Sequence, residues 1–193
     1  MQSIVQERAP VTFPTFTGER VYMREIRKGS PLPFDLARWQ PTVDAMLDSV
    51  DTDGPIYMMI DQSLVQLGNT QRRPGLHIDG YWVAAKGRHG GGGGHTGAWD
   101  SGGGQWKNCN FSAPEALILA SDITASRAVV GEFNGVVGDG GDCSNIDTSG
   151  LSEIILDAHR VYVGNVTMLH ESLPVSQSCN RTLVRLSVPG WTV

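Results

Sequence analysis

Four closely spaced apolar stretches lie between residues 153 and 188: Glu153-Ile-Ile-Leu156, Arg160-Val-Tyr-Val163, Val166-Thr-Met-Leu-His170 and Arg181-Thr-Leu-Val-Arg-Leu-Ser-Val188. Each is short and rich in β-branched residues, which is typical of strands. The Gly164-Asn165 dipeptide between the second and third stretches favours a tight turn. This part of the chain therefore predicts short strands joined by short connections.

Stretches of the same kind occur upstream. Leu76-His-Ile-Asp-Gly-Tyr-Trp-Val-Ala-Ala85 is extended by composition. Glu115-Ala-Leu-Ile-Leu-Ala120 and Arg127-Ala-Val-Val-Gly-Glu-Phe133 predict a strand pair joined by residues 121–126. Seven or eight such strands are typical of a double-sheet jelly roll or a barrel.

Residues 34–50 carry the best helical pattern in the N-terminal part of the chain, and Pro41 interrupts it. We therefore expect two short helices or one broken helix there. The predicted fold is mainly β, a jelly roll with flanking N-terminal helices, in a single domain of residues 1–193. Within it, residues 1–62 form a helical, supporting segment, and residues 63–193 form the jelly-roll core with a Gly-rich insertion at residues 87–104.

Composition excludes several classes of protein. The 193 residues carry a formal charge of −5, which disfavours non-specific binding of nucleic acid without excluding it. No apolar run reaches the roughly 20 residues of a membrane span, and the N-terminus lacks the apolar core of a signal peptide. Three distant cysteines, without a Cys-x-x-Cys pair, argue against a disulfide framework and indicate a reducing, cytoplasmic location.

A candidate metal site combines His77, Asp79 and His170. Residues i and i+2 of an extended chain share a face, so His77 and Asp79 can point the same way. With His170 on a neighbouring strand, two imidazoles and one carboxylate form the facial triad of non-haem Fe(II) oxygenases. The alternative is a structural His77–Asp79 hydrogen bond and an ordinary strand histidine at position 170.

Two arginines lie on one face of the last predicted strand, because Arg181 and Arg185 are four residues apart. A guanidinium inside a barrel requires an anion, and a dicarboxylate is one that suits its forked geometry. We expect Arg181 to bind this anion, with Arg185 as the second choice. The arginine that does not bind it should pair with a carboxylate or face the substrate.

These residues resemble the 2-oxoglutarate/Fe(II)-dependent dioxygenases of the prolyl-hydroxylase or phytanoyl-hydroxylase type. The resemblance covers residues 65–188 and rests on His77-x-Asp79, on His170 in a Leu-His-Glu-Ser-Leu-Pro context, and on Arg181. It implies a double-stranded β-helix in which His77, Asp79 and His170 bind Fe(II). Arg181 would bind the far carboxylate of 2-oxoglutarate.

The resemblance also implies an activity: hydroxylation of a small-molecule or peptide substrate, with release of succinate and CO2. The Gly-rich stretch of residues 87–104 departs from the family pattern, because relatives carry a shorter connection there. It is either a lid over the site, docked through Trp99 and Trp106, or a solvated spacer. The oligomeric state is not predicted.

Two other functions remain open at this point. One is a non-catalytic jelly-roll binding protein or a virion-type structural protein, which fits the low charge and the 24 glycines. The other is a cupin-type enzyme that uses a metal without 2-oxoglutarate. Arg181 distinguishes the cupin, which needs no buried guanidinium at that position.

Overall fold

The structure, a computed structural model that describes residues 1–84, 100–101 and 104–193, is mainly β. The described part contains thirteen strands and one α-helix, α1 (Gln40–Met46). The strands are β1 (Gln2–Ser3), β2 (Val5–Pro10), β3 (Arg20–Ile26), β4 (Ile56–Val65), β5 (Tyr81–Ala84), β6 (Asp100–Ser101), β7 (Gly104–Lys107), β8 (Glu115–Ser121), β9 (Ser126–Glu132), β10 (Ser152–Ile155), β11 (Arg160–Asn165), β12 (Leu169–Ser172) and β13 (Cys179–Pro189).

The expectation of more than one N-terminal α-helix is wrong. A 3-10 helix, Phe34–Trp39, leads directly into α1, and Pro41 lies at the start of α1. Proline is tolerated there because the first N–H groups of a helix have no partner within the helix. Pro41 therefore marks where the α-helix begins, whereas the sequence pattern had suggested an interruption.

A seven-stranded sheet forms the larger layer, in the order β2-β11-β8-β13-β4-β3-β6. All pairs are antiparallel except β3 with β6. At its centre, Val184 of β13 pairs with Ile60 of β4 and with Ala120 of β8. The segment of residues 1–62 supplies β1 to β3 and most of β4 as well as α1.

The central strand β13 separates two environments. Val184, Leu186 and Val188 are buried in the largest apolar cluster, together with Val43 and Met46 of α1. Because side chains alternate along a strand, Arg181 and Arg185 lie on the opposite face. That face is turned toward the second sheet, as the hydrogen bond from Arg181 to Ser172 of β12 shows.

The second sheet contains β1, β9, β10 and β12, and β9 pairs with each of the other three. The predicted pairing of β8 with β9 is wrong: both strands form, but in different sheets. The edges of β8 are already taken by β11 and β13, so the short connection of residues 122–125 crosses from one sheet to the other.

The predicted Gly-rich insertion lies outside the described residues, apart from 100–101 and 104, and so does Trp99. On either side of it, β5 and β7 pair antiparallel. No helix among residues 1–84, 100–101 and 104–193 has the length and apolar character needed to cross a membrane. All three cysteines are free thiols.

Candidate metal centre

The backbone brings His77 and His170 together at the edge of the second sheet. His77 N–H donates to the carbonyl of His170 at 3.0 Å, and His170 N–H donates back at 3.1 Å. The two imidazole rings lie 4.4 Å apart between centroids. An antiparallel bridge across 93 positions of the sequence thus places both side chains on one surface.

A glycine approaches this bridge closely from the other side. The carbonyl of Gly141 accepts a 2.9 Å hydrogen bond from the N–H of Ile78. The φ of Gly141 is +83°, and a Cβ at this position would lie 1.9 Å from the carbonyl oxygen of Ile78. Only glycine allows this approach, which fixes the backbone between His77 and Asp79.

The ring orientations fit a metal ion. Nδ1 of His77 lies 2.7 Å from the carbonyl oxygen of Gly75, and Nδ1 of His170 lies 3.1 Å from that of Met168. A proton on each Nδ1 satisfies these carbonyls and leaves the Nε2 lone pairs available as ligands.

Asp79 faces both Nε2 atoms. Its Oδ1 lies 3.9 Å from Nε2 of His77, and its Oδ2 lies 3.5 Å from Nε2 of His170. The ligand atoms of the three residues all lie within 4.8 Å of one another. Two imidazoles and one carboxylate at this spacing could hold a metal ion.

The protonation states of His77 and Asp79 suit ligation. Burial, with the charges of His170 and Arg73, lowers the pKa of His77 to about 3 despite the opposing effect of Asp79. His77 is therefore neutral at pH 7, as a ligand must be. Burial alone would raise the pKa of Asp79, but Arg185 and His170 outweigh it and hold that pKa well below the usual range.

Arg185 forms an ion pair with Asp79. Its Nη1 donates to Oδ2 of Asp79 at 2.6 Å, which leaves Oδ1 as the less engaged oxygen. The guanidinium lies 4.7 Å from the ring centroid of Trp106, and its Nη2 lies 3.6 Å from the sulfur of Met23. Arg185 Nε is buried and has no acceptor among the described residues.

Arg181 has different surroundings, although it lies four residues away on the same face of β13. Three serine hydroxyls accept from its guanidinium: Ser121 at 3.1 Å, Ser126 at 2.8 Å and Ser172 at 3.2 Å. It is completely buried, and burial lowers its pKa to about 10. It forms no ion pair within the described part of the chain.

A cavity of about 680 Å³ lies beside the triad. Its wall includes His77, Asp79, His170 and Arg185 at one end, and Ser126 and Ser172, which bind Arg181, at the other. Ser172 follows His170 by two residues on β12, so the two ends are separated by about 7 Å along this strand.

The three residues singled out from the sequence for the metal, and Arg185, thus line one cavity, whereas Arg181 lies behind Ser126 and Ser172 of its wall. The three serines around Arg181 were not foreseen. For Ser172 a signal existed, because it shares a face with His170 two positions earlier. For Ser121 and Ser126 there was none, since their meeting depends on the crossing between the sheets.

Comparison with known proteins gives no match: no family model, no curated protein and no solved structure is similar to this chain.

Proposed function

We propose that this protein is an Fe(II)- and 2-oxoglutarate-dependent oxygenase that hydroxylates its substrate with release of succinate and CO2. The observation that carries the proposal is the pairing of a metal-ligand triad with a completely buried guanidinium, that of Arg181, whose partners Ser126 and Ser172 line the same cavity as the triad. A dicarboxylate can span such a pair, with one end at the metal and its far carboxylate at Arg181.

The arrangement of the strands supports the double-stranded β-helix that accompanies this proposal. Eight segments pair in the two layers, seven strands and the bridge at His77. In chain order they are β4, the bridge at His77, β8, β9, β10, β11, β12 and β13. The first, third, sixth and eighth of these eight segments belong to the seven-stranded sheet, and the rest to the second. Eight strands in two antiparallel layers are what a jelly roll requires.

His77, Asp79 and His170 would hold the iron, His77 and His170 through their Nε2 atoms and Asp79 through its carboxylate. Bound there, Fe(II) would supply the activation of oxygen that hydroxylation of a C–H bond needs. The protein's own residues orient the reactants. Arg185 holds Oδ2 of Asp79 and so fixes the direction of the carboxylate, while the carbonyls of Gly75 and Met168 fix the two rings.

Arg181 is the better anchor for 2-oxoglutarate. Its partner Ser172 lies two residues from the ligand His170 on β12, about 7 Å along the strand, a spacing suited to a five-carbon dicarboxylate. Its hydrogen-bond partners are neutral hydroxyls, so no carboxylate of the described residues contacts it, and a buried charge-assisted bond to a carboxylate is favourable. Arg185 touches the metal ligand itself and is too close to the triad to bind the far end of the same molecule.

The test is titration of the purified protein with Mn(II), and then with 2-oxoglutarate, by isothermal calorimetry. We expect one Mn(II) per chain, and binding of 2-oxoglutarate that depends on the metal. His170→Asn should lose the metal, whereas the matched variant His159→Asn, at an exposed position, should keep it. With Fe(II) and oxygen, wild type should then convert 2-oxoglutarate to succinate.

One observation favours the non-catalytic alternative, a jelly-roll binding or structural protein. The ion pair with Arg185 satisfies Asp79 without a metal. Absence of Mn(II) binding at millimolar concentration would decide for this alternative. Metal binding without any binding of 2-oxoglutarate would instead indicate a cupin-type enzyme.

A further inference from the structure

The cavity is larger than the proposed cofactor and cosubstrate require. Its volume of about 680 Å³ falls within the ~300–1,000 Å³ range typical of small-molecule sites. A metal ion and a five-carbon acid occupy only the part between the triad and the serines around Arg181. The remaining space is bordered by Tyr22, Arg72, Arg73, Trp106 and Asn108.

Cationic groups act on the triad from several sides. Arg185 contacts Asp79 directly. Arg72 lines the same cavity as Arg185, and its pKa is lowered by burial and next by the charge of Arg185. Arg73 and His77 also line this cavity, and the charge of Arg73 is one of the causes of the lowered pKa of His77.

Arg73 is the most available of these cations. It is exposed, and its Nη1 donates to the neutral carbonyl of Gly140 at 2.7 Å. It forms no ion pair with any residue that the structure describes. Asp61 lies 3.4 Å from Nη1 of Arg72, and Glu171 is ion-paired with Arg127, so these carboxylates are already engaged.

The loaded site would be electropositive. A divalent metal, Asp79, Arg181, Arg185 and a doubly charged cosubstrate together leave one positive charge. The other charged residues that line the cavity, Arg72, Arg73, Asp139 and Glu171, cancel one another in formal charge. In a cavity that excludes much of the solvent, this excess attracts an anion more strongly than it would in water. A neutral or cationic substrate would leave it uncompensated.

We propose that the substrate is a small anion, with a carboxylate or phosphate group bound by Arg73 and drawn in by the charge of Arg72. Its carbon skeleton would pack against Tyr22 and Trp106, which line the same cavity and are joined by a 2.9 Å hydrogen bond from Trp106 Nε1 to the Tyr22 hydroxyl. The role of this anion as the compound that is hydroxylated rests on the proposed function, but its binding does not.

Binding is therefore tested on the metal-free protein with three probes of similar shape: benzoate, phenyl phosphate and the neutral benzamide. We expect benzoate or phenyl phosphate, or both, to bind at least tenfold more tightly than benzamide at low salt, as measured by calorimetry. Preference for one of the two anions identifies the carboxylate or the phosphate as the group recognised. Arg73→Gln should weaken anion binding about five- to tenfold and leave benzamide unchanged.

Two controls complete the design. Arg8→Gln removes an exposed arginine of β2 that does not line the cavity, and it should have no effect on any probe. Arg160→Gln, at an exposed position of β11 that does not line the cavity, should also leave the probes unaffected. Equal binding of the charged and neutral probes, no binding of either anion, or an equal loss in Arg8→Gln would each overturn the proposal. Failure of Mn(II) or 2-oxoglutarate to bind would overturn only the proposed function.

Discussion

Two arginines on one face of β13 have opposite surroundings, although their side chains are identical and nearly equally buried. Arg185 is paired with the carboxylate of Asp79, while Arg181 is surrounded by the hydroxyls of Ser121, Ser126 and Ser172. The first guanidinium has its counterion within the protein. The second has polar neighbours that hold it in place without neutralising it.

This difference indicates a structural role for Arg185 and supports the proposed binding role of Arg181. A buried ion pair holds its two partners relative to each other, so Arg185 orients a candidate metal ligand. A buried guanidinium with neutral partners retains its charge, and here its pKa falls to about 10 because of burial. In the proposed function, a carboxylate of 2-oxoglutarate would raise this pKa again, and the serines would keep the guanidinium aligned to bind it.

The largest effect is expected from removing the carboxylate of Asp79, which is both a candidate metal ligand and the ion-pair partner of Arg185. Asp79→Ala should reduce Mn(II) affinity at least 100-fold and lower the free energy of unfolding by about 3–5 kcal/mol, since Arg185 then remains buried without its anion. Metal titration and urea denaturation measure the two effects. Asp48→Asn, at an exposed position, is the control. A variant with undiminished metal affinity would remove Asp79 from the triad.

Arg181→Lys should weaken 2-oxoglutarate binding about 10- to 100-fold, because one point charge replaces two parallel bonds worth roughly 1.5–3 kcal/mol. Mn(II) affinity should not change. Titration of 2-oxoglutarate at a fixed Mn(II) concentration provides the measurement. The matched variant Arg185→Lys should show the reverse pattern. If Arg185→Lys alone impairs cosubstrate binding, the anchor is Arg185.

Stability should depend on pH through Glu115, which is buried and accepts a hydrogen bond from the N–H of Trp82. Burial raises the pKa of Glu115 to about 7 from its ordinary 4.5. Between these values the folded protein keeps a proton that the unfolded chain has lost. The stability due to this proton is complete below pH 4.5 and disappears as the pH rises through about 7.

Glu115→Gln imitates the protonated form and should stabilise the protein by about 2 kcal/mol at pH 8, with little effect at pH 4.5. Urea denaturation at both pH values checks this result, and Glu132→Gln, at an exposed position, serves as the control. An equal change at both pH values would show that the titration of Glu115 is not responsible.

The smallest effect is expected from replacing one of the three serines that contact Arg181. Ser172→Ala removes a hydroxyl that accepts from Arg181 at 3.2 Å, and it should lower stability by about 1 kcal/mol. Affinity for 2-oxoglutarate should fall severalfold, since the guanidinium is less well aligned. Thermal denaturation and cosubstrate titration measure both effects, with Ser112→Ala as the control. Unchanged cosubstrate affinity would mean that the serines only solvate the charge.

Local pattern was sufficient for the β-rich composition of the fold and for the residues of the triad. The short apolar stretches identified β8, β9, β10, β11 and β13, and the i, i+2 rule placed His77 beside Asp79. Local pattern did not predict which strands pair with each other. All seven residues of β8 are buried, so its sequence carries no alternation that would identify its faces or its neighbours.

The sequence predicted that one of the two arginines would pair with a carboxylate, but local pattern did not show that this one is Arg185. Both arginines have the same strand face and similar flanking residues, and only their neighbours in space distinguish them: serines of β8, β9 and β12 for one, and Asp79 for the other. The close approach of Gly141 to Ile78 depends likewise on a loop more than 60 residues away. Such features arise from the packing of distant segments, which a single sequence does not encode in its spacing.

The position of β13 at the centre of the seven-stranded sheet has a consequence for how the chain acquires its structure during synthesis. Every other strand of that sheet precedes it in the sequence, and its pairing with β4 joins residues more than 110 positions apart. Such distant contacts make folding slow. Until residues 179–189 leave the ribosome, the inner edges of β4 and β8 stay unpaired, and the nascent chain must be protected from pairing with a neighbour.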